Sequence, residues 1–146
     1  MKKTDLAYYT GIIDGEGAIG ICKHRDTDCR RGYRFQLSVQ VTSLDEWLLQ
    51  SLKIAFCGNI TRSKYGFAKK TSWHWMIHCK QALEFLKAIL PYLRLKRYQA
   101  EIAIKFQEAK RRGGWQTDQE YVLEEAQRIL IHRQTRKGIK IDEPNL

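Results

Sequence analysis

No stretch of this 146-residue chain is long and apolar enough to read as a membrane span, and Met1-Lys-Lys-Thr-Asp5 leads into no hydrophobic signal core. The expected setting is soluble and intracellular, away from membranes. Cysteine is sparse: Cys22, Cys29, Cys57 and Cys79 are widely spaced with no Cys-x-x-Cys pair, which argues against a disulfide scaffold. Nor do His24, His74, His78 and His132 supply a zinc pattern. His74 and His78 fall in an expected strand, where four residues span roughly 13 Å, too far for one ion. Reduced cysteines and non-ligand histidines follow. Internal repeats and low-complexity segments are lacking too, and the length suits one domain with a sizeable core rather than two full-sized ones. Acid is the last shortage. Against 26 Lys plus Arg stand 16 Asp plus Glu, a net charge of +10, and such an excess favours an anionic partner: nucleic acid first, a membrane surface second.

Glycine is present where it is costly. The ten residues from Leu6 read as a helix, with Leu6, Tyr9 and Ile13 as its apolar stripe. A second stripe, Ala7, Gly11 and Gly15, carries almost no side chain. Each interior glycine costs about 1 kcal/mol relative to alanine, so two on one face ask for the close approach of another backbone. Glu16 is a second oddity, a carboxylate at the negative end of the helix macrodipole. Gly17 reads as a left-handed stop. Two such helices, glycine face to glycine face, would bring two unfavourable carboxylates together, and a divalent cation between them would relieve the repulsion. The bland alternative is a core helix with a glycine cap. Gly15-Glu-Gly-Ala-Ile-Gly20 also has dinucleotide-binding spacing, but it runs from helix to strand, the reverse of the order that cradles pyrophosphate. No small-molecule cofactor is expected. His24-Arg25-Asp26 imitates a kinase triplet, without the asparagine that should stand at Arg31.

Two strands are expected next, Ala18 to about His24 and Tyr33 to Thr42, around a polar turn. In the second, Tyr33, Phe35, Leu37, Val39 and Val41 take one face and must cover helices; Arg34, Gln36, Ser38 and Gln40 take the other. That polar ladder has the spacing and chemistry to read base edges, arginine for guanine and glutamine for adenine. A solvated strand face is the alternative, but no Asp or Glu stands between Arg30 and Thr42, unlike a mixed-sign surface. Ser43-Leu-Asp-Glu46 then reads as a capping box, opening a helix that buries Trp47, Leu48, Leu52 and Phe56. A second hairpin runs from Ile60 to Tyr65 and from Ser72 to Cys79; its loop holds Lys69 and Lys70, and Arg62 and Lys64 share a face. Trp73 and Trp75 oppose His74 and Met76, and the pattern leaves open which side is buried. An amphipathic helix covers Lys80 to Tyr92, and others span Arg97 to Arg112 and Thr117 to about Arg133, the last opened by a Thr117–Glu120 capping box.

Tyr9-Thr-Gly-Ile-Ile-Asp-Gly-Glu-Gly17 resembles the LAGLIDADG motif, in its GxxDGEG form, of the homing endonucleases. The resemblance implies that Glu16 ligates metal, with the Gly15 carbonyl beside it, while Asp14 is structural. Mg²⁺ is the implied ion; Mn²⁺ or Ca²⁺ would occupy the same site, Ca²⁺ without cleavage. It further implies twisted hairpins in the major groove of double-stranded DNA. Cys22, His24, Arg34, Gln36, Ser38, Gln40, Arg62, Lys64 and Trp75 are the contacts it suggests. Leu90-Pro-Tyr-Leu-Arg-Leu-Lys-Arg-Tyr-Gln-Ala100 is similar to the P-x-L-x-x-K-x-x-Q-A run of homodimeric members. This implies that Lys96 lies beside the scissile phosphate, a catalytic group offsetting charge there, with Arg94 and Arg97 on flanking phosphates. Gln134-Thr-Arg-Lys137 resembles a basic stretch that contacts the DNA backbone, through Arg136 and Lys137; a flexible basic tail reads equally well.

One motif copy implies a homodimer, with Ala7, Tyr8, Gly11, Ile12 and Gly15 at a self-complementary interface and a palindromic or near-palindromic target. The implied fold is α+β: an αββαββα core with a four-stranded antiparallel saddle and extra C-terminal helices. It forms one domain over residues 1–146, with its core at about 4–112 and a C-terminal helix and basic tail at 113–146. The implied setting is the cytoplasm or nucleoid of a prokaryote, or an organelle. One departure concerns the catalytic pocket. Ser43 stands where relatives often place a glutamine, and Leu44, Asp45 and Glu46 leave no arginine on the next turn. The functional expectation is a Mg²⁺-dependent, site-specific double-strand DNA endonuclease. Its rivals are an inactive DNA- or RNA-binding relative, such as a maturase or transcription regulator, and a small basic adaptor whose glycine helix merely dimerises.

Overall fold

Phe35, Leu37, Val39 and Val41 are all shielded from solvent, so one face of their strand must be covered by other elements. That strand is β2 (Tyr33–Ser43), paired antiparallel with β1 (Gly17–Arg25) on one side and β4 (Lys70–His78) on the other. β3 (Asn59–Tyr65) pairs with β4, giving a four-stranded sheet in the order β1-β2-β4-β3. The cover is helical: α1 (Lys3–Glu16), α2 (Glu46–Phe56), α3 (Cys79–Ile89), α4 (Arg97–Glu108) and α5 (Asp118–Lys137). Ile13, Leu52, Leu86, Phe106 and Ile131, one from each helix, join the sheet residues in a single apolar cluster. The architecture is the α+β arrangement expected, an αββαββα core followed by further helices. This computed structural model describes residues 1–65, 70–110 and 112–137, with Tyr65 and 134–137 by backbone alone. Lys69 and the tail from Gly138 onward lie outside the described residues.

Register settles the second hairpin. Val41 pairs with Trp75 and Val39 with Ile77, so the core face of β2 continues through the tryptophan side of β4. Trp75 is fully buried, packs edge-on against Phe85 and donates its indole N–H to the Cys57 carbonyl at 2.8 Å. It is therefore a core residue, and its expected role as a DNA contact is corrected.

Three local readings change. Gly17 is extended (φ −77°) and starts β1 rather than forming a left-handed stop. A Cβ there would lie 2.7 Å from the Ile13 carbonyl oxygen, so the glycine serves close approach. The Ser43 capping box does not form, because β2 runs on to pair Ser43 with Trp73. Asp45 instead caps α2, accepting the Trp47 N–H at 2.9 Å. The later start puts Leu49 and Leu52 on the buried side and leaves Trp47 70% exposed rather than buried. Third, α4 stops at Glu108, while α5 runs to Lys137 and takes in Gln134–Lys137. The second capping box does form: Thr117 N–H donates to Glu120 Oε2 at 2.8 Å, and Glu120 N–H to Thr117 Oγ1 at 3.2 Å.

Candidate active site and nucleic-acid interface

The C-terminal end of α1 is bound to a segment eighty residues later. After α3, a 3-10 turn at Leu90–Tyr92 takes up Pro91, and buried Leu93 anchors the chain as it turns into α4. The next three residues are then held by Asp14. Its carboxylate accepts the Arg94 N–H at 2.9 Å and the Lys96 N–H at 3.1 Å. Lys96 reciprocates, its ammonium donating to the carbonyl oxygens of Ile13 (2.8 Å) and Asp14 (2.7 Å). Those carbonyls belong to the last turn of a helix, where acceptors lack intrahelical partners and carry the negative end of the dipole. Burial pulls the Lys96 amine below the usual lysine range, while the charges of Asp14 and Glu16 act in the opposite direction. The result is a cation held beside the exposed Glu16.

On the outer face of α1, Ala7, Tyr8, Gly11 and Gly15 are exposed and Ile12 is half-buried. A Cβ added at Gly11 or Gly15 would meet no atom within 4 Å. Nothing among the described residues requires either glycine. As for metal, Glu16 offers a carboxylate and Gly15 a carbonyl, hard oxygen donors suited to Mg²⁺. Among the described residues no three His, Cys, Asp or Glu side chains gather.

The sheet face away from the helices carries the polar ladder. Strand alternation puts Cys22 and His24 of β1 on it with Arg34, Gln36, Ser38 and Gln40 of β2. Gln36 donates to Cys79 Sγ (3.3 Å), Cys22 Sγ lies 3.2 Å from Ser38 Oγ, and Arg34 lies 3.4 Å from the Asp26 carboxylate. Ser38 is only 6% exposed, so it presents little beyond its link to Cys22. Arg62 and Lys64 do not join this face. They pair with Trp73 and Thr71, beside the Ile60–Trp75 pair, on the side of the sheet that carries the helices. The Arg62 guanidinium sits 5.8 Å from the centre of the Trp73 ring. They are exposed, on the opposite side of the sheet from the polar ladder. Arg94 is exposed beside the Asp14 clasp, and Arg136 and Lys137 lie at the end of α5, where only the backbone is described.

In place of the two cations, the open face carries His74 with Thr42, Ser63 and Ser72. The imidazole Nδ1 lies 2.9 Å from Thr42 Oγ1, and Nε2 lies 2.7 Å from Ser63 Oγ and 3.1 Å from Ser72 Oγ. One ring thus ties β2, β3 and β4 together. The alternation that opposes His74 and Met76 to the tryptophans was the sequence signal for this group, and it becomes decisive once the tryptophan side is known to be buried.

No protein-family model matches the chain, and no curated protein matches it. Solved structures do. The chain is similar to I-Vdi141I, an archaeal intron-encoded homing endonuclease complexed with DNA, with a TM-score of 0.78 and 14% identity over 98% of this chain and 91% of that one. It is similar to the homing endonuclease I-CvuI, in complex with a DNA target in the presence of Mg with the DNA not cleaved, at a TM-score of 0.62 and 22% identity over 73% of this chain and 67% of that one. It is also similar to the LAGLIDADG homing endonuclease I-SmaMI bound to cleaved DNA, with a TM-score of 0.68 and 18% identity. That match covers 97% of this chain, which spans about half (51%) of the I-SmaMI chain.

Proposed function

We propose that this chain, which has the LAGLIDADG homing-endonuclease fold, is a homodimeric, divalent-metal-dependent, site-specific double-strand DNA endonuclease. The observation that carries the reading is the Lys96 ammonium seated on the last carbonyls of α1, beside an exposed Glu16. A lysine fixed in this way presents its charge beside the carboxylate without having to be ordered when a phosphodiester arrives. Two α1 helices packed across the Gly11 and Gly15 faces bring both Glu16 carboxylates to a twofold axis and account for the glycines.

Glu16 and the Gly15 carbonyl would hold the ion, with Mg²⁺ fitting the hard oxygen donors. When bound, it supplies Lewis-acid activation of water and neutralises phosphate charge. The chain's own residues do the rest. Lys96 places positive charge where the phosphoryl transition state gains negative charge, and Asp14 holds Lys96 in position. His24, Arg34, Gln36 and Gln40 lie along the major groove, while phosphate contacts set register and affinity. The symmetric pair reads a palindromic or near-palindromic site.

The test starts by selecting a cleaved site from a randomised palindromic library in Mg²⁺. Glu16→Gln should then abolish cleavage of that site and leave binding intact. Full cleavage by the purified variant would refute the role of Glu16, and binding without cutting under any divalent ion would favour a non-cleaving DNA-binding relative.

A further inference from the structure

β2 pairs with β1 from Tyr33 to Val41, but with β4 only from Ser38 onward. Ile21–Arg25 and Tyr33–Leu37 therefore leave the sheet as a two-stranded ribbon. Such a ribbon is marginally stable alone and twists more than a wider sheet. It nonetheless carries His24, Arg34 and Gln36 of the polar ladder, while Gln40 stands further back, between Ala18 of β1 and Met76 of β4. Where the outer side chains point depends on what fixes the ribbon.

The start of α5 lies against its other side. The Tyr121 ring packs on Phe35 with centroids 5.3 Å apart, and the Arg31 guanidinium, from the hairpin turn, sits 4.3 Å from the centre of the same Tyr121 ring. Arg31 also pairs with Asp118 in the first turn of α5. Lys110, just after α4, donates to the Phe35 carbonyl at 2.5 Å and lies 3.8 Å from the buried Glu124 carboxylate. Around the hairpin tip Arg25, Arg30 and Arg34 are exposed, whereas Arg31 is half-buried and its charge is already answered. A guanidinium stacked on a ring and paired with a carboxylate acts as a strut between two elements.

We propose that Arg31 is a positioning residue for target recognition. Its latch on Asp118 and Tyr121 fixes the ribbon against α5 and so sets which base pairs His24 and Arg34 meet. The inference rests on the DNA-reading assignment above and extends it to side chains on the opposite side of the sheet.

The test compares wild type with Arg31→Ala, Asp118→Ala and the double variant, and uses Tyr121→Phe, which keeps the ring, as the conservative control. Hydrogen exchange of the DNA-free protein should show each single variant losing about three- to tenfold protection at ribbon amides, the scale of one cation–π contact with a screened ion pair. Amides of α1 and α3 should not move. In binding-site selection both single variants should flatten preference at the same outer base pairs, and the double variant should go no further than either. Preference at the position read by Gln40, the salt slope and the single-turnover rate at saturation should match wild type, as should Tyr121→Phe throughout. Removing opposite charges with the same result is the signature of a latch. Were Arg31 a phosphate contact, Arg31→Ala would weaken every sequence and lower the salt slope by about 0.9, while Asp118→Ala would tighten binding; that pattern overturns the inference. Unmoved ribbon amides, or protection lost evenly through the chain, overturn it too. Faster ribbon exchange with an unchanged outer preference overturns the recognition role and leaves the DNA-reading face standing. A wild type that selects no duplex overturns the DNA-reading assignment itself and the role of Arg31 with it, whatever the exchange shows.

Discussion

The Lys96 ammonium donates to the carbonyl oxygens of Ile13 and Asp14 at 2.8 and 2.7 Å, while the Asp14 carboxylate accepts the backbone N–H groups of Arg94 and Lys96. This reciprocal clasp lets an acid inside the glycine helix fix a lysine 82 residues away. It also compensates a helix end that otherwise presents carbonyls and a carboxylate together.

Removing the cation should affect the reaction more than the binding. Lys96→Met is expected to lower the single-turnover cleavage rate by roughly 10²–10³, the scale of one lost transition-state donor, with target affinity changed far less. Lys96→Arg should not restore the wild-type rate, since a planar guanidinium does not reproduce a compact ammonium on two adjacent carbonyls. A wild-type rate from Lys96→Met, measured in Mg²⁺ on the selected site, would remove Lys96 from the chemistry.

Asp14 should act mainly through the fold. Asp14→Ala leaves two backbone N–H groups without their charged acceptor and should lose about 2 kcal/mol in urea unfolding. Asp14→Asn keeps one acceptor oxygen and should lose less. Equal stability of the alanine variant and wild type would show that the clasp is incidental.

A separate pH dependence belongs to α5. The Arg128 hydrogen bond at 2.9 Å holds the Glu125 carboxyl below its ordinary 4.5, against the opposing effect of burial. A carboxylate depressed on folding stabilises the native state above the unfolded value of 4.5 and loses that contribution as pH falls through the folded value. Glu125→Gln should therefore be less stable at pH 7 by about 0.5–1 kcal/mol, as for a solvent-screened pair. Thermal melts from pH 7 to pH 3 should show the difference shrinking on the acid side, and a constant difference would contradict the assignment.

The two faces of the sheet separate the polar ladder, the proposed DNA-reading side, from other cations. Arg34→Ala should reduce the slope of log affinity against log salt by about 0.9, one phosphate contact, or cost about 1–3 kcal/mol at one base position if it reads an edge. Gln40→Ala should relax preference at a single position by a similar amount. Arg62→Ala, on the helix-bearing side, should leave target preference unchanged in the same binding-site selection.

Trp75→Ala should behave as a core lesion. It empties a fully buried site and removes the hydrogen bond to the Cys57 carbonyl, for a loss of about 3–5 kcal/mol. Target preference per folded molecule should not shift, which distinguishes this position from Gln40.

Periodicity made much of the fold legible in advance. The period-two pattern from Phe35 to Val41 and the 3.6 period of Leu6, Tyr9 and Ile13 each mark a stripe packed into the core, because alternation or helical turn alone determines which side chains share a face; Tyr33, expected on the same face, is 45% exposed at the start of β2. The Thr117–Glu120 box was readable for the same reason, its hydrogen bonds spanning only three residues. Ser43–Glu46 has equally good local chemistry and failed, since β2 continued into it to pair with Trp73. A two-faced pattern also cannot say which face is covered. The pattern left the Trp75 and His74 sides open until Val41 took its place opposite Trp75. The clasp between Asp14 and Lys96 is tertiary outright, for no local rule carries information across 82 residues; only the packing of α1 beside the turn after α3 brings those two side chains within hydrogen-bonding reach.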